Sequence, residues 1–447
     1  MKQVNLTEGS IPRGLMTVAA PIIIGNILQS LVEVADLFFV GRLSPAAIAG
    51  VALSLTVIFV LMTVVIGLNG GTTAFVSRYY GKGNYEDAGR VLVQSLAVGL
   101  AFSLLISIIG VLWTKDMLLF LGADADVAAE GAAYLTILSL GIVALVEFWI
   151  ISTFFQSIGD AKTPLIIIAV INILNIILNP VFIFGWFGLP AMGVAGAALA
   201  TVLTRTIGLG TGIVLLVPLN GQMRFTRGLH IDIPLIRRIL KVAIPNMVQS
   251  GIRSVTFLIM FAIVTGYGTY ALSAYGIVNR LEGMVLMPGF GIATAAAVMV
   301  GQNLGAGNPG RSEKAVRVAV AIYGVFMLCM TGIFLLFGAA LVGFFDPSGM
   351  SEPTALSYLH IMAPFYFFLA ASIVLSFALN GAGDTKKPMY AGIISYFIVQ
   401  LPLALLLPDL TGTGITGVWY AMVIGLLVQT AALYVMFRRG TWKKMAI

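Results

Sequence analysis

Two carboxylates, Glu33 and Asp36, stand three residues apart inside the apolar run QSLVEVADLFFVGRL, residues 29–43. A carboxyl in such a run can exchange a proton or hold a small cation. Charge at the centre of a membrane-spanning helix costs about 2.5–3.5 kcal/mol on insertion scales, so an acid there is read as functional by default. Asp36 lies toward the outer end of its run, where the competing reading is an acid snorkelling to the interface. The short reach of Asp weakens that reading. Glu33 is longer and sits on a neighbouring face of the same helix. It suits pairing or solvation by a cavity equally well.

A second polar pattern is INILNIILNP, residues 171–180, in which Asn172, Asn175 and Asn179 fall at i, i+3 and i+7. That spacing puts three amides on one helical stripe. Asn is a poor helix former, and its amide needs partners in lipid. The stripe reads either as interhelical glue or as a polar wall facing Asp36, whose carboxylate Asn175 and Asn179 would hold. Pro21 precedes both acids in its segment and weakens the helix there. Arg253 and Glu282 read as a structural ion pair or as lining of a cleft. Met260, Met284 and Met287 suit a pliable cavity, because Met adapts to varied shapes.

Enzyme chemistry finds little to work with. The chain has two His, one Cys (Cys329) and no cluster with metal-ligand spacing. The Gly-Asp loops at 159–160 and 383–384 follow helices rather than strands, which argues against a phosphate cradle. No enzyme activity and no cofactor are expected.

The elements that must position these groups are membrane helices. Hydrophobic residues make up 59% of the 447, charged residues only 10%, and mean hydropathy is +1.03. Soluble domains carry about 25% charged residues. The first apolar run is too long for the core of a cleavable signal. A spanning helix needs about 20 apolar residues, and twelve segments qualify: 15–40, 47–77, 91–113, 131–156, 164–187, 191–217, 239–265, 270–300, 315–344, 355–380, 388–408 and 414–437. Lipid leaves open backbone groups without partners, so the spans are helical and the fold class is all-α integral membrane. With the N-terminus in the cytoplasm, 20 of the 25 Lys and Arg fall inside. Only Arg42 and Lys115 fall outside, and Arg205, Arg253 and Arg280 lie within spans. This asymmetry places both termini in the cytoplasm. It also reads the net charge of +7 as topology rather than as a nucleic-acid surface.

The chain repeats itself at an offset of 224 residues. VAAP (18–21) meets VAIP (242–245), GKGN (81–84) meets GAGN (305–308), and GDAKTP (159–164) meets GDTKKP (383–388). GVAGA (193–197) meets GVWYA (417–421), so the offset reads as constant. Two six-helix bundles in parallel topology follow: a first lobe at 1–218, a cytoplasmic linker at 219–238 and a second lobe at 239–447. Two such lobes rocking about a cleft suit a transporter better than a rigid pore. Asp36 aligns with Met260 and Asn179 with Leu403, so the candidate site belongs to one lobe only. Pro21 aligns with Pro245 and therefore shares a packing role with it.

The segments EGSIPR (8–13), VADLFFVGRLSPAAIAGVALS (34–54), SRYYGKGN (77–84), QSIGDAKTP (156–164), NIILNPVFIFG (175–185), GVAGAALAT (193–201) and GQNLGAGN (301–308) together resemble the multidrug and toxic compound extrusion (MATE) family. The resemblance covers essentially the whole chain. It implies a V-shaped pair of six-helix bundles in the cell (inner) membrane. It implies a monomer that exports amphipathic, often cationic drugs and dyes in exchange for H⁺ or Na⁺. Asp36 matches the acid on which family members rely, and Tyr134, Asn175 and Thr201 match the polar cluster around it. Pro21 matches the proline where helix 1 bends. Some prokaryotic members carry a second acid where this chain has Asn179. One branch carries a Glu where Arg253 stands, which sets this chain closer to the branch named after DNA-damage-inducible protein F.

The expected mechanism is antiport. Asp36 takes up H⁺ from outside, its bonds to Tyr134, Asn175, Asn179 and Thr201 reorganise, and the cavity releases its cationic drug. Glu33, Asn172, Arg253, Met260, Glu282, Met284 and Met287 are the candidate cavity residues. Na⁺ held by Asp36, Asn175 and Thr201 is the alternative coupling ion. A flippase for a lipid-linked precursor competes, with Arg205, Arg253 and Arg280 as its phosphate-facing cations. An ion channel or membrane enzyme is the alternative from another class. Single-channel currents would reveal the channel.

Overall fold

The computed structural model describes residues 5–225, 230–445 and 447. Lys2, Arg227 and part of the expected linker lie outside the described residues. Among those described, twelve helices are long and apolar enough to cross a membrane. They are α1 (Ile11–Val40), α2 (Pro45–Gly81), α3 (Tyr85–Leu112), α4 (Ala125–Ser157), α5 (Lys162–Phe184), α6 (Val194–Met223), α7 (Ile233–Thr265), α8 (Thr269–Gly305), α9 (Pro309–Phe345), α10 (Glu352–Gly381), α11 (Lys386–Thr411) and α12 (Ile415–Arg438). Each coincides with one expected span, and most run further at one end. Two of the extended starts, those of α2 and α3, carry side-chain caps. Ser44 Oγ accepts from Ala47 N–H at 3.0 Å ahead of Pro45, and Asn84 Oδ1 accepts from Asp87 N–H at 3.3 Å. Such caps let a helix continue past the hydrocarbon, where hydropathy no longer marks it.

The chain divides into two compact units. One comprises residues 24–243, the other residues 5–23 with 244–447. Helix α1 is thus shared: residues 11–23 belong to the second unit and 24–40 to the first. Helix α7 is shared in the opposite sense at 243/244. Pro21 and Pro245 lie inside these helices close to the two exchange points.

Within the first unit α4 is central, and its glycines allow close approach. A Cβ on Gly50 would meet Gly131 N at 2.6 Å, and one on Gly141 would meet Val202 Cγ2 at 2.3 Å. In the second unit α8 is the most buried span, and a Cβ on Gly381 would meet the Ala297 carbonyl oxygen at 2.4 Å. Small residues in membrane helices serve this purpose, since helices there gain contact by backbone proximity rather than by leaving water. Leu336 and Phe344 on α9 are exposed, as lipid-facing residues are.

The constant repeat offset needs correction. Paired left-handed glycines keep it at Gly83/Gly307 (φ 78° and 76°) and Gly159/Gly383 (φ 89° and 84°). It then grows to 227 where Gly185 and Gly412 end α5 and α11, both in the left-handed region. It shrinks to 221 where Gly193 and Gly414 precede α6 and α12, with φ 56° and 58° and ψ −133° and −135°. The second half has a longer helix, with a π-helical stretch at Ile393–Gln400, and a shorter loop. Gly193 therefore matches Gly414 rather than Gly417. Only glycine accepts that backbone without strain.

Candidate functional site

Three helices of the first unit bring the polar residues together. On α1, Gln29, Glu33 and Asp36 fall one turn apart along a stripe. On α5, Asn175 and Asn179 do the same. On α6, Thr201 and Arg205 are four residues apart. Pairing these stripes makes a continuous chain of hydrogen bonds. Asn179 Nδ2 donates to Asp36 Oδ1 and, at 3.1 Å, to Asn175 Oδ1. Asn175 Nδ2 donates to Thr201 Oγ1 at 3.3 Å. The two amides are buried, while Asp36 is half-buried.

Tyr134 on α4 is buried, and its ring oxygen is within electrostatic reach of Asp36 and Glu33 without a hydrogen bond to either. Asn172 is buried but stands outside the chain, with its Nδ2 unpartnered. Pro21 lies within a helix that continues unbroken from Ile11 to Val40.

One cation is present that the sequence reading left out of this site. The Arg205 guanidinium donates to Gln29 Oε1 and interacts electrostatically with both Asp36 and Glu33. No ion pair within 4 Å joins it to either acid among the described residues. With both carboxyls ionised, the group of Asp36, Glu33 and Arg205 carries one net negative charge, which a single monovalent cation cancels. The signal was the spacing of Arg205 from Thr201. What it lacked was knowledge that this face of α6 meets α1.

The chain is incomplete at one atom. Asn179 Oδ1 is buried with no hydrogen-bond partner. A buried acceptor without a partner calls for an explanation, and a proton donor, an ion or a water would each supply one. Protonation of Asp36 would create the missing O–H donor. A Na⁺ would instead use this oxygen with those of Asp36, Asn175 and Thr201, an oxygen set that suits a hard cation. Among the described residues, no three His, Cys, Asp or Glu side chains gather as a metal site.

The second unit treats its acid differently. Glu282 on α8 accepts from Tyr358 Oη at 3.1 Å on each carboxylate oxygen, and from Tyr366 Oη at 2.7 Å. Tyr275, Tyr358 and Trp419 pack as an aromatic group beside it, Tyr275 stacked on Trp419 at 5.8 Å between centroids. The Arg253–Glu282 ion pair considered from sequence is therefore not formed. Arg253 lies over the Phe290 ring, 5.6 Å from its centroid. Phenols answered the acid, and α10 carries them, so spacing along α7 and α8 could not reveal it. Of the candidate cavity methionines, Met260 is buried, Met284 is exposed and Met287 is intermediate. Glu147 on α4 is buried with Oε1 unpartnered, facing Gly99.

The MatE family model matches the chain twice, over residues 21–181 and 245–406, one match for each half of the repeat. A probable multidrug resistance protein NorM of Thermotoga maritima is 30% identical, covering 98% of this chain and 94% of that protein. A probable multidrug resistance protein YoeA of Bacillus subtilis is 26% identical, covering 99% and 96% respectively. Among solved structures, MATE in the bent conformation superposes with a TM-score of 0.91 at 23% identity, covering 99% of both chains. MATE in the straight conformation gives 0.89 at 24%, covering all of both. These two likenesses establish the fold.

Proposed function

The chain belongs to the MatE family of multi-pass membrane transporters, and on that premise we propose that it exports amphipathic, cationic drugs and dyes across the cell membrane by antiport with H⁺. The reading is supported by the relatives, which are described as probable multidrug resistance proteins. Coupling is assigned to Asp36, and one observation carries that assignment. Its amide partner Asn179 keeps a buried oxygen with no donor among the described residues, and a proton on Asp36 or a cation beside it would complete the hydrogen-bond chain.

The cycle follows from charge. In the ionised state the cluster of Asp36, Glu33 and Arg205 has one unit of negative charge to offer a cationic drug or an entering H⁺. Proton uptake from outside removes that charge and supplies an O–H to Asn179 Oδ1. Drug-loaded and protonated states then exclude one another, which is the condition for exchange. A membrane potential of 100 mV adds about 2.3 kcal/mol for each net charge moved inward per cycle. Na⁺ is the second reading, favoured by the same free oxygen.

The test is export of ethidium from liposomes under an imposed pH gradient or an imposed Na⁺ gradient. Export driven by the pH gradient and lost in Asp36→Asn is expected. Full export by Asp36→Asn would remove the acid from the mechanism, and stimulation by Na⁺ alone would change the ion.

A further inference from the structure

Glu147 takes no part in the hydrogen-bond chain around Asp36. It lies thirteen residues beyond Tyr134 on α4, about 220° round the helix at 3.6 residues per turn, so it meets a different neighbour, α3. The residue is 7% exposed, and its Oε1 is buried without a hydrogen-bond partner among the described residues. Opposite it stands Gly99 on α3. A Cβ there would meet Oε1 at 2.9 Å and Ile150 Cδ1 at 2.3 Å. The side chain missing from Gly99 is the room that the carboxyl occupies.

Among the described residues no counter-charge faces this acid. α2 has no charged residue from Pro45 to Ser77, and α3 has none from Val91 to Leu112. Lys115 and Asp116 lie beyond the outer end of α3, and Asp126 and Glu130 at the outer end of α4. α5 has only Lys162, in its first turn. α6 has only Arg205, which is engaged with Gln29 and the two acids of α1. Tyr79, Tyr80 and Tyr85 stand at the inner ends of α2 and α3, and Tyr134 answers to Asp36 and Glu33. An ionised carboxylate left alone in such surroundings is costly, whereas a protonated one is a neutral hydrogen-bonding group. Interhelical bonding alone could be met by Gln, which never carries charge. An ionisable residue inside a membrane helix is read as functional by default.

The two unattached acids of the first unit differ in depth. Asp36 is four residues from the outer end of α1. Glu147 is ten residues from the inner end of α4, about 15 Å of helix from the side that bears the termini. One turn nearer that side, on the Gly99 face of α3, Thr72 Oγ1 donates to Ser95 Oγ at 2.9 Å, a first polar step inward. We propose that Glu147 is a second proton carrier of the antiport, exchanging its proton with the side that bears the termini while Asp36 serves the outside. The inference rests on the H⁺ reading given above. The Glu147 carboxylate binds one H⁺ and becomes the neutral acid. The same H⁺ leaves to water, as hydronium, when the unit opens toward the termini. Each cycle then moves one H⁺ more per drug than Asp36 carries by itself.

Gln matches the neutral acid in size, so Glu147→Gln keeps the packing and loses the titration. The full chain in detergent is titrated potentiometrically across the neutral range. Wild type is expected to release one more H⁺ than Glu147→Gln. In liposomes the reversal potential of ethidium–H⁺ exchange is expected to report one H⁺ fewer per drug for Glu147→Gln, and Glu147→Asp to restore both counts. A folded Glu147→Gln that equals wild type in either count overturns the proposal. If that variant does not fold, dicyclohexylcarbodiimide, which attacks protonated carboxyls, is applied to wild type. A label mapped to Glu147 by peptide mass spectrometry and fading as pH rises supports the assignment, and no label or a pH-independent one overturns it. Full export by Asp36→Asn in the same liposomes would instead remove the reading on which the inference rests, leaving the proton count in detergent unaffected.

Discussion

Tyr134 and Tyr358 occupy equivalent positions of the repeat, and each stands near a carboxyl within the membrane helices. The carboxyls differ in origin and in company. Asp36 comes from α1 and has one side-chain donor, an amide whose own oxygen is orphaned. Glu282 comes from α8 and accepts three phenolic contacts. A carboxylate whose lone pairs are already met by O–H groups gains little from a proton, whereas one in a half-satisfied network gains a new bond. On the proposed coupling, equivalent scaffolds would support a responsive acid in one half and a secured acid in the other.

The largest effects should separate the two acids. Asp36→Asn is expected to lower gradient-driven export in liposomes by roughly tenfold or more, about 1.4 kcal/mol of driving barrier or beyond. Glu282→Gln, assayed identically, should remain within about twofold of wild type. The reverse order would assign coupling to the second half and undo the comparison. Next in size is Arg205→Gln. It leaves the two acids of the first unit with two uncompensated charges, so the reversal potential of exchange should report more cations moved per drug. An unchanged stoichiometry would mean that Arg205 takes no part in the charge balance.

Smaller effects sharpen the structural half of the contrast. Tyr358→Phe and Tyr366→Phe each remove an O–H bond to Glu282 and should reduce thermal stability in detergent by roughly 1 kcal/mol. Thr201→Val removes only the far end of the Asp36 chain and should cost less than either. Smallest of all is Arg253→Leu. Its guanidinium faces an aromatic ring rather than an acid, and loss of that contact is worth about 0.5–1 kcal/mol at an exposed site. Transport by that variant should be near normal. A large loss would mean that Arg253 meets a charged group during the cycle.

The sequence was most informative where one helix suffices. Apolar runs located all twelve spans, and the spacing of Asn175 with Asn179 put two amides on one face. The polar helix ends were missed because hydropathy records solvent preference, while backbone hydrogen bonding continues until a cap or a glycine stops it. The three-residue shift around α5 and α11 was hidden because GVAGA and GVWYA align well at the wrong register. Backbone torsion at Gly193 and Gly414 decided it.

Composition, hydropathy and the internal repeat by themselves determined that this is a duplicated all-helical membrane protein, because lipid admits few backbone solutions and each half must satisfy the same ones. That Asp36 is an acid without an acidic counterpart in the repeat was equally legible, since its partner is Met260. Tertiary structure alone decided which stripes face each other. It brought Arg205 and Gln29 to the acids of α1, gave Glu282 to two tyrosines instead of Arg253, and left Asn179 Oδ1 without a donor. Helical periodicity specifies the direction a side chain points from its own axis, whereas its partner depends on how several axes pack.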